Sequence, residues 1–104
     1  MIHLNIGSNL NSNFGDKFDN ISITIKLLID KEFDVKKISN FYETPSYPNK
    51  NFPNFLNIGI FGTFRKSAKE LRNIISLIEK KIGRVKTKKN DPRVCDIDII
   101  DFNG

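Results

Sequence analysis

Apolar alternation at Ile2, Leu4 and Ile6, two helical stripes set apart by a proline-rich loop and a strand, and a second alternation at Cys95, Ile97 and Ile99 predict an α+β fold of order βαββαβ. The simplest closed form of that order is ferredoxin-like, a four-stranded antiparallel sheet with both helices on one face. With 104 residues, 38% hydrophobic and 28% charged, the chain can fill one core and not two, so residues 1–104 read as a single domain.

The first strand spans Ile2–Ile6, and Gly7-Ser8-Asn9 follows as a turn. Phe18, Ile21, Ile25 and Leu28 recur at three- and four-residue spacing, which predicts a helix from about Asp16 to Asp30, with Asp16 as its cap. Val35–Tyr42 has weaker strand character. The segment Pro45–Pro53, holding Pro45, Pro48 and Pro53 with Asn49 and Asn51, is a loop. Phe55–Phe64 is the next strand, with Leu56, Ile58 and Ile60 facing one way and Phe61 and Phe64 read as ordinary packing. Ser67 and Glu70 form a capping box, Leu71, Ile74, Ile75, Ile78 and Ile82 make the second stripe, and Gly83 stops that helix. Val94–Ile100 is the last strand and Asp101–Gly104 a closing turn.

Seventeen Lys and Arg against twelve Asp and Glu leave a net charge of +5, which by itself suits nucleic acid, anionic lipid or a phosphate-bearing small molecule. The abundance of Asn and Lys is what an AT-rich genome produces, so the distribution of charge says more than its total. Lys80, Lys81, Arg84, Lys86, Lys88, Lys89 and Arg93 crowd one stretch in which Asp91 is the only acid. No apolar run approaches the roughly 20 residues of a membrane span. The N-terminal MIHLNIGSNL has no secretory pattern, and a lone cysteine forms no disulfide framework. A cytoplasmic protein is expected.

Strand parity separates a core face from a face that collects polar groups. With Ile2, Leu4, Ile6, Leu56, Ile58, Ile60, Cys95, Ile97 and Ile99 turned toward the helices, the opposite face shows His3, Asn5, Phe55, Asn57, Asp96 and Asp98. Asp96 and Asp98 project from the same side, about 6–7 Å apart at Cα. Two like charges that close repel unless a cation lies between them, and a pair of hard divalent ions roughly 3.5–4 Å apart suits such a site. Standing alone, a D-x-D triplet is as often the solvated face of an edge strand. Here Arg84 and Arg93 flank the basic loop beside it, and guanidinium groups near a metal pair answer the charge that builds on phosphate oxygens during transfer. Phe55 next to Asn57 offers an aromatic platform beside an amide, which suits a planar heterocycle. Cys95 belongs to the core by parity. His3 reads as a hydrogen-bonded spectator without a second zinc ligand, and Gly7-Ser8-Asn9 lacks P-loop spacing.

Together these pieces resemble the hydroxymethyldihydropterin pyrophosphokinase family. The matching strings are I-G-S-N-L at Ile6–Leu10, S-N-F-Y-E-T-P at Ser39–Pro45, P-N-F-L-N at Pro53–Asn57, I-E-K-K-I-G-R at Ile78–Arg84 and D-P-R-V-C-D-I-D-I-I at Asp91–Ile100. The resemblance implies pyrophosphate transfer from ATP, as co-substrate, to the hydroxymethyl group of a dihydropterin in folate biosynthesis. It implies two magnesium ions on Asp96 and Asp98, triphosphate contacts and help in transfer from Arg84 and Arg93, and Glu79 near the nucleotide. It further implies a pterin pocket of Thr44, Pro45, Phe55 and Asn57. Two departures accompany it. The family continues for about a further third of its length, so the domain is C-terminally short, and Asn90 stands where many members carry Trp.

Two other readings compete. A shortened relative would bind pterin, or a partner, without catalysis. An RNA-binding module would use the same sheet to stack bases, but Asp96 and Asp98 would repel phosphate, so no nucleic-acid partner and no membrane partner are expected. An uncovered sheet face or edge strand would invite a second copy or a complementing chain.

Overall fold

In the computed structural model, residues 1–46, 51–84 and 92–104 are described. The elements are β1 (Ile2–Ser8), α1 (Lys17–Asp30), β2 (Asp34–Ile38), β3 (Tyr42–Thr44), β4 (Phe55–Thr63), α2 (Ala68–Ile82) and β5 (Asp96–Phe102). The sheet is antiparallel with order β2-β4-β1-β5, and β3 pairs with β4 alongside β2. This is the expected α+β, ferredoxin-like arrangement, with five strands among the described residues in place of four.

The extra strand comes from a break in the expected Val35–Tyr42 segment. Ser39 turns its hydroxyl onto the ladder and accepts the Gly59 N–H at 2.7 Å, while its own N–H donates to the Gly59 carbonyl at 2.9 Å. Ile38 is opposite Ile60, yet Tyr42 is opposite Asn57, so one additional residue has entered the strand and the chain bulges at Asn40 and Phe41. A second irregularity lies between Val35 and Lys37. There Gly62 is required, because a Cβ on it would come within 2.2 Å of the Asp34 carbonyl oxygen.

β1 is the central strand, between β4 and β5, and Ile2, Leu4 and Ile6 are fully buried. They pack with Leu56, Ile58 and Ile60 of β4, Ile21 and Leu28 of α1, and Leu71, Ile75, Ile78 and Ile82 of α2. Each such side chain contributes about 1.5–3 kcal/mol by leaving water. Cys95 and Ile97 complete the layer, as parity requires.

Both helices begin and end by identifiable chemistry. Asp16 caps α1 in a reciprocal capping box with Asp19. Ser67 caps α2 by accepting the Glu70 N–H at 3.2 Å, but the Glu70 carboxylate takes the Ser67 hydroxyl, at 3.4 Å, in place of the backbone. Gly83 closes α2 in the left-handed conformation at φ 116°. Its N–H reaches the Lys80 carbonyl and the Arg84 N–H reaches that of Glu79, a Schellman arrangement. No helix of the described residues is long and apolar enough to cross a membrane.

Four further expectations change. Gly7 and Ser8 are strand, not turn, since β1 stays paired through Ser8 with Leu56. Phe18 leaves the core stripe: it is 52% exposed and meets Phe41 edge-on at 5.2 Å. Asp101 and Phe102 belong to β5 and not to a turn. A bulge between His3 and Leu4 in the pairing leaves Ile100 outside, and Phe102 returns to the core side opposite Ile2. Phe61 stacks on His3 at 4.3 Å on the face away from the helices, so His3 is a ring partner there.

Candidate active site

Three cross-strand rows organise the open face. The register sets Asn57, Gly7 and Asp96 in one row, Gly59, Asn5 and Asp98 in the next, and Phe61, His3 and Asp101 in the third. Two strand spacings separate β4 from β5, so Asn57 and Asp96 stand roughly 10 Å apart with Gly7 between them. A Cβ on Gly7 would lie 2.9 Å from Asn57 Oδ1 and 3.4 Å from the Phe55 ring. The missing side chain therefore lets ring and amide lie down over the central strand.

On the β4 side, Asn57 is buried and directional. Its Nδ2 donates to Thr44 Oγ1 at 2.9 Å, with the carbonyls of Phe55 and Tyr42 at 3.4 and 3.5 Å, and its Oδ1 accepts from Asn5 Nδ2 at 3.3 Å. Phe55 is opposite Thr44 in the β3–β4 pairing. Pro45 follows on the surface, ahead of the buried Ser46. Thr44, Pro45, Phe55 and Asn57 thus form one cluster.

On the β5 side, Asp96 receives Arg84 at 3.2 Å and Arg93 at 3.5 Å. Arg84 also holds Glu79 at 2.5 Å, and the same Glu79 oxygen accepts the Ile97 N–H at 2.9 Å. Glu79 therefore ties the end of α2 to β5. Burial raises its carboxyl above the ordinary range, and the Ile97 N–H and Arg84 pull it back. Asp98 is raised by partial burial and then by the Asp96 charge, against the pull of Arg93 and Arg84. Burial pushes the Cys95 thiol up to about 12 despite its hydrogen bond to Thr24, so Cys95 is core and no nucleophile.

Among the described residues no group of three or more His, Cys, Asp or Glu side chains gathers as a metal site. The Asp96–Asp98 pair still fits magnesium, which takes one or two carboxylates and completes its shell with water and substrate phosphates. Beyond Asp98 a groove of about 330 Å³ opens between α2 and β5, lined by Arg72, Ile75, Ser76, Ile97, Asp98 and Ile99.

Sequence patterning missed the residue that joins the two halves. Asn9 is 2% exposed, and its Nδ2 donates to Ser46 Oγ at 3.0 Å and the Pro53 carbonyl at 3.1 Å. Its Oδ1 accepts the Arg93 N–H at 2.7 Å, and its own N–H donates to the Arg93 carbonyl at 3.0 Å. One side chain fastens both the Pro45–Pro53 segment and the approach to β5. The rest of the Pro45–Pro53 loop at 47–50, and the basic segment 85–91 with Asn90, lie outside the described residues.

With this geometry in hand, comparison with known proteins is decisive. The family model of 7,8-dihydro-6-hydroxymethylpterin-pyrophosphokinase (HPPK) matches residues 3–103. The chain belongs to the HPPK family. Among its relatives, the folic acid synthesis protein FOL1 of Dictyostelium discoideum is 36% identical over the whole of this chain and 15% of its own length. The 2-amino-4-hydroxy-6-hydroxymethyldihydropteridine pyrophosphokinases of Aquifex aeolicus and Bacillus subtilis are 33% and 30% identical, over 95% and 90% of this chain. The chain spans 59% and 57% of those two HPPK relatives.

Proposed function

We propose that this chain carries out the reaction for which the HPPK family is named, transferring pyrophosphate from ATP to the hydroxymethyl group of a dihydropterin in folate biosynthesis. The observation that carries this reading is the row Asn57–Gly7–Asp96, which sets an aromatic–amide cluster and a carboxylate pair on one face about two strand spacings apart. Such a face can present a planar heterocycle to a metal-bound polyphosphate.

Thr44, Pro45, Phe55 and Asn57 would hold the pterin, the ring stacking on Phe55 and its polar edge meeting the Asn57 amide. Asp96 and Asp98 would hold two magnesium ions, whose charge offsets that of the triphosphate. Arg84 and Arg93 would steady the transferred group, and Glu79 would hold Arg84 toward the nucleotide. The groove along Arg72 and Ser76 would receive the nucleoside end, since it adjoins Asp98. The hydroxymethyl oxygen then bonds to the β-phosphorus, the bond to the α-phosphate oxygen breaks, AMP departs, and the hydroxyl proton passes to solvent. A cytoplasmic location, and a second copy or complementing chain along an open sheet edge, are parts of the same proposal.

The test is a coupled assay for AMP from ATP, the pterin alcohol and magnesium on this polypeptide alone. Magnesium-dependent AMP release is expected, and Asp96→Ala is expected to abolish it. Turnover like wild type in that variant would reject the assigned role. Calorimetric pterin binding with no response to a non-hydrolysable ATP analogue would instead make the chain a pterin-binding relative without catalysis.

A further inference from the structure

The Asn57 carboxamide does not choose its own direction. Its two faces are chemically opposite, a carbonyl that accepts and an NH2 that donates, and a planar ligand meets one or the other. Three acceptors surround Nδ2: Thr44 Oγ1 at 2.9 Å and the carbonyls of Phe55 and Tyr42. Those acceptors leave Oδ1 to be satisfied from the other side, where Asn5 Nδ2 donates at 3.3 Å. Asn57 Oδ1 only accepts, so Asn5 must present its NH2 there, and Asn5 Oδ1 in turn accepts from the Tyr42 hydroxyl at 2.5 Å. The backbone carbonyls, which only accept, therefore turn the Asn57 NH2 toward themselves, while Asn5 and then the phenol brace the opposite end of the amide.

We infer that Asn5 and Tyr42 are positioning residues which hold the Asn57 carboxamide in the direction its acceptors set, and so keep its remaining Oδ1 lone pair presented to a ligand's donor. This rests on the proposed pterin reading for the identity of the ligand, but the polarity itself does not. The chain of bonds runs across three strands, from Tyr42 on β3 to Asn5 on the central β1 and back to Asn57 on β4. Asn5 is also opposite Asp98, so the residue that braces the amide borders the carboxylate pair.

Two measurements decide it. The first follows the Asn57 side-chain NH2 resonances by NMR in the ligand-free protein. The second follows binding of 6-hydroxymethylpterin, the fluorescent oxidised form of the pterin alcohol. Tyr42→Phe and Asn5→Ala are each expected to move the Asn57 resonances and weaken pterin binding about three- to tenfold, the worth of one hydrogen bond. Because the bonds act in series, the double variant should be no weaker than the worse single one. Asn5→Asp keeps an acceptor for Tyr42 but sets a carboxylate oxygen against Asn57 Oδ1, which the carbonyls beside Nδ2 stop from turning over, so it should cost more affinity than Asn5→Ala. Tyr42 is half exposed and loses only a hydroxyl, so that variant keeps the fold. A wild-type protein that binds no pterin would remove the functional reading, while the resonances alone would still decide the positioning. Unmoved Asn57 resonances in both variants, or losses that add in the double variant, would overturn the inference.

Discussion

Asp98 holds its proton to higher pH in the fold than in the unfolded chain, as burial and the neighbouring Asp96 charge require. Between the two values the folded state binds more protons, so the contribution is fully present below the ordinary carboxyl pKa and is lost as pH rises through the raised one. At neutral pH the ionised Asp98 thus weighs against the metal-free fold, an effect kept small by solvent at this exposed edge. Asp98→Asn should raise the thermal midpoint at pH 7 without magnesium and change it little near pH 3. Magnesium should raise the midpoint of the wild type more than that of the variant. Asn9 poses the opposite case, a buried side chain with its donors and acceptor all engaged. Asn9→Ala leaves the Arg93 N–H without a partner, while the Pro53 carbonyl keeps the Ser46 hydroxyl at 2.8 Å, and should cost about 1–3 kcal/mol in urea unfolding.

The two helices end in the same motif with different residues. After α1, Glu32 takes the left-handed conformation at φ 73°, with the Phe33 N–H bonded to the Leu28 carbonyl and its own N–H to that of Ile29. After α2, Gly83 occupies the equivalent place. Glu32→Gly should therefore stabilise the protein by about 0.5–1 kcal/mol, since its exposed ion pair with Lys66 at 3.3 Å contributes little. Gly83→Ala should cost about 1 kcal/mol by backbone conformation alone, because nothing lies within 4 Å of the added Cβ. Thermal melts of both variants check the pair. These ends also show what patterning can read. Asp16, Ser67 and Gly83 announce themselves by type and position, and parity alone gathers Phe55, Asn57, Asp96 and Asp98 on one face. The division of β2 from β3 and the reach of β5 to Phe102 were hidden, because a bulge shifts the two-residue period by one and mimics a turn. Asn9 and Asn20 were hidden for another reason. Asn9 lies in a loop, which carries no periodicity, and Asn20 is a polar residue on the buried side of α1; only the assembled topology shows that Asn20 bonds the Ser8 hydroxyl and the Leu10 carbonyl in the interior.

Across the molecule the sheet order makes β1 depend on distant partners. Residues 2–8 pair with 56–62 on one side and residues 2–7 with 96–102 on the other, so the centre of the sheet closes late in the chain. Non-local pairing of this kind slows folding, and stopped-flow refolding on the millisecond-to-second scale is expected. Leu4→Ala, at the centre of the buried layer, should lose about 2–5 kcal/mol by chemical denaturation. β5 ends the sheet order, and an outermost strand offers its backbone to any extended peptide that drifts past. Glu79 already occupies one rung of that rim through the Ile97 amide. The carboxylate that braces Arg84 thereby also covers one backbone donor of the outermost strand, and Glu79→Ala, which uncovers it, should scatter light at concentrations where the parent stays clear.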